Sequence, residues 1–128
     1  MKRIETGGGG ECLFSSLGFF LNKSGKEVRR EIVDKIKKDC SRMIIAGMKI
    51  CCLIRISESI KVEEYCLRMA ISTTSGGEIE LYTASILYDV KIEVYEKEII
   101  LKYIYPNLES TNRIIRLFYT GGHYQALV

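Results

Sequence analysis

The chain has 128 residues, 47% apolar and 27% charged, with a net charge of +3. That predicts one domain, residues 1–128, large enough to bury its own core. The charge is too small, and its Lys and Arg too scattered, for a nucleic-acid partner. The longest apolar run, Met43 to Ile56, carries Lys49 and Arg55, which excludes a membrane span. Five cysteines, an odd number, and no signal peptide predict free thiols in a reducing, cytoplasmic setting. No CxxC pair occurs and there is one histidine, so neither a metal site nor a cofactor is expected.

Met1 to Thr6 reads as an extended lead-in. Next comes Gly7 to Leu21, GGGGECLFSSLGFFL. Leu13, Leu17, Phe20 and Leu21 form one apolar stripe at helical spacing, so Cys12 opens a helix. Free N–H groups and the helix dipole at that end favour a thiolate, the nucleophilic form of cysteine. Glycines before it let the backbone approach a bound group and aim N–H donors at it. A flexible linker ahead of an inert core cysteine fits the same residues.

Asn22 to Gly25 is a turn, and Ser24 with Glu27 makes a capping box for the next helix. In that helix Val28, Ile32, Val33, Ile36 and Cys40 share a face, and Arg29, Arg30, Lys37 and Lys38 are expected to point to solvent. Met43 to Ile56 has no clean period. Burial and an exposed partner surface both fit it, and part of it is expected to be exposed. Cys51 and Cys52 read as small core residues. A helix is predicted over Lys61 to Ser72 with Val62, Cys66 and Met69 inward. Another follows over Glu78 to Tyr88, with Ile79, Tyr82 and Ile86 on one face.

The period then falls to two. Ile92 and Val94 mark a strand, Ile99 to Tyr105 a second, closed by Pro106, and Pro106 to Thr111 a turn or loop. Arg113 to Tyr119 is a third strand. Gly121-Gly122 suggests a hairpin into a fourth, His123 to Val128. Helices first and strands second predict an α+β fold.

A cysteine near the start and the single histidine, His123, near the end follow the chain order of a cysteine protease. Strand alternation puts His123, Gln125 and Leu127 on one face, with Gln125 the nearest neighbour able to hydrogen-bond the ring. Three blocks resemble the OTU (ovarian tumour) cysteine proteases, mostly deubiquitinases. GGGGECLFSSLGFFL is similar to the family's GDGNCLFRSL block. SGGEIELYTASILYDVKIEVY, from Ser75 to Tyr95, is similar to WGGEIELxAxAxxxxxxIxVY. TGGHYQALV, from Thr120 to Val128, is similar to the closing GxHYDxL.

The resemblance implies an OTU-type fold, helices packed on a small, largely antiparallel sheet. It implies that Cys12 is the nucleophile, His123 the general base and acid, and the backbone around Gly9, Gly10 and Cys12 the oxyanion hole. The family's orienting acid would stand at position 9 or 125, which here are Gly9 and Gln125. Neutral Gln125 is therefore expected to hold the ring of a weakened Cys–His pair, and Gly9→Asp to raise activity. The implied function is hydrolysis of the isopeptide bond between ubiquitin, or a ubiquitin-like protein, and lysine. A degenerate domain that binds ubiquitin with negligible turnover is the alternative. In either case Cys12 is set apart from the other four thiols. Limiting iodoacetamide near pH 6, followed by peptide mapping, is expected to mark Cys12 first; equal labelling of several cysteines would count against a special site.

Overall fold

The computed structural model describes residues 1–96, 100–105 and 113–128. Ile99 and the turn expected over Pro106 to Thr111 lie outside them. A short strand β1 (Arg3–Ile4) precedes a 3-10 turn (Gly9–Glu11) and helix α1 (Cys12–Leu21). Helix α2 (Gly25–Asp39) begins at Ser24, whose hydroxyl accepts from the Glu27 N–H at 3.1 Å. The hairpin β2 (Ile44–Ile45) and β3 (Met48–Lys49) leads to α3 (Ile50–Glu58), α4 (Val62–Met69) and α5 (Glu78–Leu87). Strands β4 (Lys91–Glu96), β5 (Ile100–Tyr105), β6 (Ile114–Thr120) and β7 (His123–Leu127) follow. Among the described residues no helix is long and apolar enough to cross a membrane.

The main sheet has the order β1-β7-β6-β4-β5. Its pairs are antiparallel except β4 with β6, which run parallel. β4 and β5 pair as neighbours, and β6 lies on the other side of β4. The β6–β7 hairpin pairs Thr120 with His123, and the two-residue loop between them, Gly121-Gly122, has φ of 56° and 79°. Positive φ at both positions suits the primed turns that match strand twist.

Helix α1 packs on β7 on one side and α2 on the other. Leu13, Phe14 and Leu17 are at most 1% exposed. Val28, Ile32, Val33 and Ile36 of α2 meet them in the core.

Three inward or outward expectations differ from the structure, and the expected partial exposure of Met43 to Ile56 is found. Arg29 is buried at 4% exposure, because it lies beside the apolar stripe of α2 and finds carbonyl partners there. In α5, Ile79 is buried but Ile86 is exposed, while Glu80, Leu81, Thr83 and Ala84 are buried. That helix touches α2 on one side and β4 and β5 on the other, so burial does not follow a single stripe. Cys52 is exposed and Cys51 only half-buried. The Met43 to Ile56 stretch is divided: Met43, Ile50 and Ile54 are core, whereas Ile44, Met48 and Ile56 face out. It has no single period because a hairpin turn at Ala46-Gly47, φ 51° and 78°, splits a strand pair and a helix.

Glu80 is a buried carboxylate at a joint. It accepts from the Tyr65 hydroxyl at 2.5 Å and from the Gly77 N–H at 2.7 Å, closing the N-terminus of α5. Loss of water pushes its pKa up to about 7 despite those bonds. A raised acid pKa favours the folded state below the unfolded value of 4.5 and withdraws that support as pH rises through about 7. Between pH 4.5 and 8 the parent is expected to lose on the order of 3 kcal/mol from this group. Denaturant melts at pH 5 and 8 should show that slope in the parent and a flatter one in Glu80→Gln. Equal slopes would show that Glu80 is not the titrating group.

Candidate active site

Cys12 is the first residue of α1 and 2% exposed. Its Sγ accepts a hydrogen bond from the Tyr124 N–H at 3.4 Å. The sulfur therefore lies against the backbone one residue past His123, although the two side chains are 111 positions apart in the chain (12 and 123). The hairpin turn delivers His123 to the first position of β7, with its side chain 32% exposed.

The carboxylate that reaches the His123 ring comes from neither position 9 nor position 125. Nε2 of His123 is 2.9 Å from Glu5 Oε1 and 3.0 Å from Oε2. Strand pairing explains why. β1 pairs antiparallel with β7, Arg3 opposite Leu127 and Ile4 opposite Ala126. Continued by one residue, that register sets Glu5 opposite Gln125, and His123 is the next residue on the same face of β7. The Gln125 amide donates to Glu5 Oε2 at 3.0 Å, so Gln125 holds the carboxylate instead of the ring. His123 above all, then Gln125 and Gly7, hold the Glu5 carboxyl below the usual carboxylate range.

Glu5 was legible only through strand register. Met1 to Thr6 reads as a lead-in, and nothing local ties it to the last strand. With Nε2–H committed to Glu5, the neutral ring keeps Nδ1 as its basic nitrogen. The arrangement can present a basic nitrogen on the side of the neutral ring away from Glu5, and hold the imidazolium once that nitrogen is protonated.

The glycine loop has two distinct positions. Gly9 has φ +59°, and a Cβ there would meet nothing within 4 Å. An Asp at 9 would sit in the left-handed region and find Nε2 already taken, so the rise expected for Gly9→Asp loses its basis. A Cβ on Gly10 would come within 2.4 Å of the Thr73 backbone, so the loop lies directly on residue 73. A cavity of about 400 Å³ opens beside the histidine turn, walled by Gly76, Gly77, Glu78, Tyr105, Tyr119 and Tyr124. A larger one, about 670 Å³, lies along α2; Cys12 and His123 line neither cavity, and it is Gly122 and Tyr124, on either side of His123, that border the smaller one.

No family model matches the sequence, and no curated protein matches it. Solved structures do. An OTU domain in complex with ubiquitin superposes with a TM-score of 0.76 at 16% identity, covering 98% of this chain and 67% of that one. The Hazara virus OTU bound to ubiquitin gives 0.73 at 18%, covering 99% and 80%. An OTU deubiquitinase from Wolbachia pipientis wMel gives 0.72 at 16%, covering 99% and 87%. The chain has the OTU fold. It is the fold that the three sequence blocks imply, and at these identities the likeness is one of architecture.

Because the OTU architecture brings Glu5, His123 and Cys12 to one edge of the sheet, Glu5 is expected to tune the thiol. Its lowered pKa means the carboxylate contact is present above the usual carboxylate range and is lost only as pH falls through the lowered folded value. Between pH 5 and 8 the Glu5 carboxylate stays charged. Glu5→Gln is expected to slow Cys12 alkylation at pH 6 by about tenfold, well short of the ~10⁴ seen for a buried serine-triad acid, and to converge on the parent near pH 9. Gly9→Asp is expected to give no gain. Superimposable pH profiles for Glu5→Gln and the parent would remove Glu5 from the site.

Proposed function

We propose that the chain is a thiol isopeptidase that releases ubiquitin, or a ubiquitin-like protein, from lysine. The observation that carries this reading is the Glu5 carboxylate on Nε2 of His123, beside a cysteine sulfur at a helix N-terminus. Nδ1 of His123 takes the Cys12 thiol proton, and the Glu5 carboxylate stabilises the imidazolium. The thiolate attacks the carbonyl carbon of ubiquitin's C-terminal residue. Backbone N–H groups of Gly9, Gly10 and Cys12 hold the oxyanion. The intermediate collapses, His123 gives its proton to the departing lysine amine, and a thioester remains. Water, deprotonated by His123, then splits the thioester, returning the free thiol and a ubiquitin carboxylate. No metal or organic cofactor enters these steps. The reading assumes a reducing, cytoplasmic setting, since Cys12 must remain a thiol.

Two further observations support ubiquitin as the partner. Structural neighbours of this fold are described as bound to ubiquitin. The cavity beside the histidine turn, with tyrosine walls and the Glu78 carboxylate, suits an extended peptide carrying a basic residue. The alternative, a binding module without turnover, loses its main support once Glu5 supplies the carboxylate missing from position 9.

Ubiquitin bearing a C-terminal electrophile is expected to form a covalent adduct with the parent and none with Cys12→Ala. Fluorogenic ubiquitin should be turned over by the parent, and His123→Ala should lower kcat/KM by about 10³ or more. Binding of ubiquitin without adduct or turnover would overturn the enzyme reading and leave the binding module.

A further inference from the structure

We propose that Arg29 is a positioning residue that locks the Gly10–Glu11 peptide in the orientation that keeps the oxyanion hole open. This rests on the isopeptidase reading above. Arg29 stands on α2 and is 4% exposed. Its guanidinium joins the loop that leads into Cys12 to the loop that follows α4. One terminal nitrogen donates to the Gly10 carbonyl at 2.8 Å and the Ser72 carbonyl at 3.0 Å. The other donates to the Met69 carbonyl at 2.8 Å. Nε donates to Glu11 Oε1 at 3.2 Å, and the guanidinium carbon lies 4.2 Å from the centre of the Phe14 ring. A planar fork with five donors can satisfy this set; an ammonium has three donors and no fixed plane.

The geometry matters because of what the Gly10 carbonyl does. In a trans peptide the C=O and the next N–H point in opposite directions. Holding the Gly10 oxygen toward Arg29 therefore turns the Glu11 N–H away from Arg29; it donates to the Gly8 carbonyl at 3.4 Å and closes the 3-10 turn that precedes Cys12. A flip of this peptide would break that turn and release the adjoining Gly10 and Cys12 N–H groups, which the proposed function assigns to the oxyanion, from their fixed directions. Gly7 to Gly10 offers little steric resistance to such a flip. Arg29 supplies the resistance, and the loop of residues 69–73, on which Gly10 lies, is the fixed side of the clamp.

The test compares the parent with Arg29→Lys and Arg29→Met in three readouts: kcat and KM on fluorogenic ubiquitin, the rate of Cys12 alkylation by iodoacetamide, and the backbone amide spectrum. Alkylation is a displacement with no oxyanion, so a lock acting on the oxyanion hole leaves it untouched. Arg29→Lys is expected to lower kcat by about 10- to 100-fold, with KM and alkylation unchanged. The amide signals of Gly9, Gly10 and Glu11 should shift or broaden while those of the core strands stay in place. An unchanged kcat with unchanged loop amides would overturn the proposal. So would a parallel loss of kcat, alkylation and melting temperature, or failure of both variants to fold, since Arg29 would then support the fold and not the loop. If the parent itself shows no turnover, the isopeptidase reading fails, and the amide spectra still decide whether Arg29 locks the loop.

Discussion

Helix α1 lies between the sheet and α2, and the burial of its apolar residues determines where the Cys12 sulfur can be. Leu13, Phe14 and Leu17 each contribute about 1.5–3 kcal/mol by leaving water, and together they resist any sliding of the helix. A shift by one residue would move Cys12 by about 1.5 Å along the axis. That exceeds the tolerance of a 3.4 Å contact with the Tyr124 N–H. Core packing and site geometry are thus one constraint here. The segment that carries Cys12 is also part of the core.

The rest of the site hangs on the sheet edge. β1 is two residues long, yet it is tied to the last strand beyond its own length, with Lys2 and Val128 exchanging backbone hydrogen bonds of 2.5 and 2.8 Å. This pairing brings a carboxylate from the start of the chain to a histidine near its end. Glu5 is exposed, so solvent and salt screen its charge; its value to the site is directional. A further donor, the Gln125 amide, fixes the carboxylate where it meets the ring. Alternating exposure along β7 then gives each residue its place, with Tyr124 and Ala126 buried and His123 and Gln125 at the sheet edge facing Glu5.

Buried polar groups mark the joints between elements. Arg29 ties α2 to the loops before α1 and after α4, Glu80 ties α4 to the start of α5, and Glu93 ties β4 to Arg116 of β6 at 3.1 Å. Each is costly to bury and is matched by named partners. Among the described residues, no buried side-chain nitrogen or oxygen lacks a hydrogen-bond partner. Apolar residues at positions 29 and 80 would leave loop carbonyls and a helix end unsatisfied, and one at position 93 would leave Arg116 without its carboxylate. The polar joints thus fix the loops that apolar packing leaves free.

The sequence by itself determined the helices from Cys12 and Gly25, the Ser24 cap, the change of period near Lys91, the glycine hairpin before His123 and the resemblance of three blocks to OTU proteases. All of these are local signals: the spacing of apolar residues, a capping hydroxyl, or a short motif. Tertiary structure decided the rest. Arg29 looked like a solvent-facing cation because its neighbours Arg30, Lys37 and Lys38 are; its burial depends on carbonyls of residues 10, 69 and 72, to which no helical period points. Met43 to Ile56 showed no period because it changes from hairpin to helix midway. Glu5 could not be assigned from local pattern, since its partner is 118 residues away and only the register of β1 on β7 brings them together. Local periodicity reports which face a residue is on; what that face meets is set by long-range pairing, and for this chain that pairing completes the candidate site.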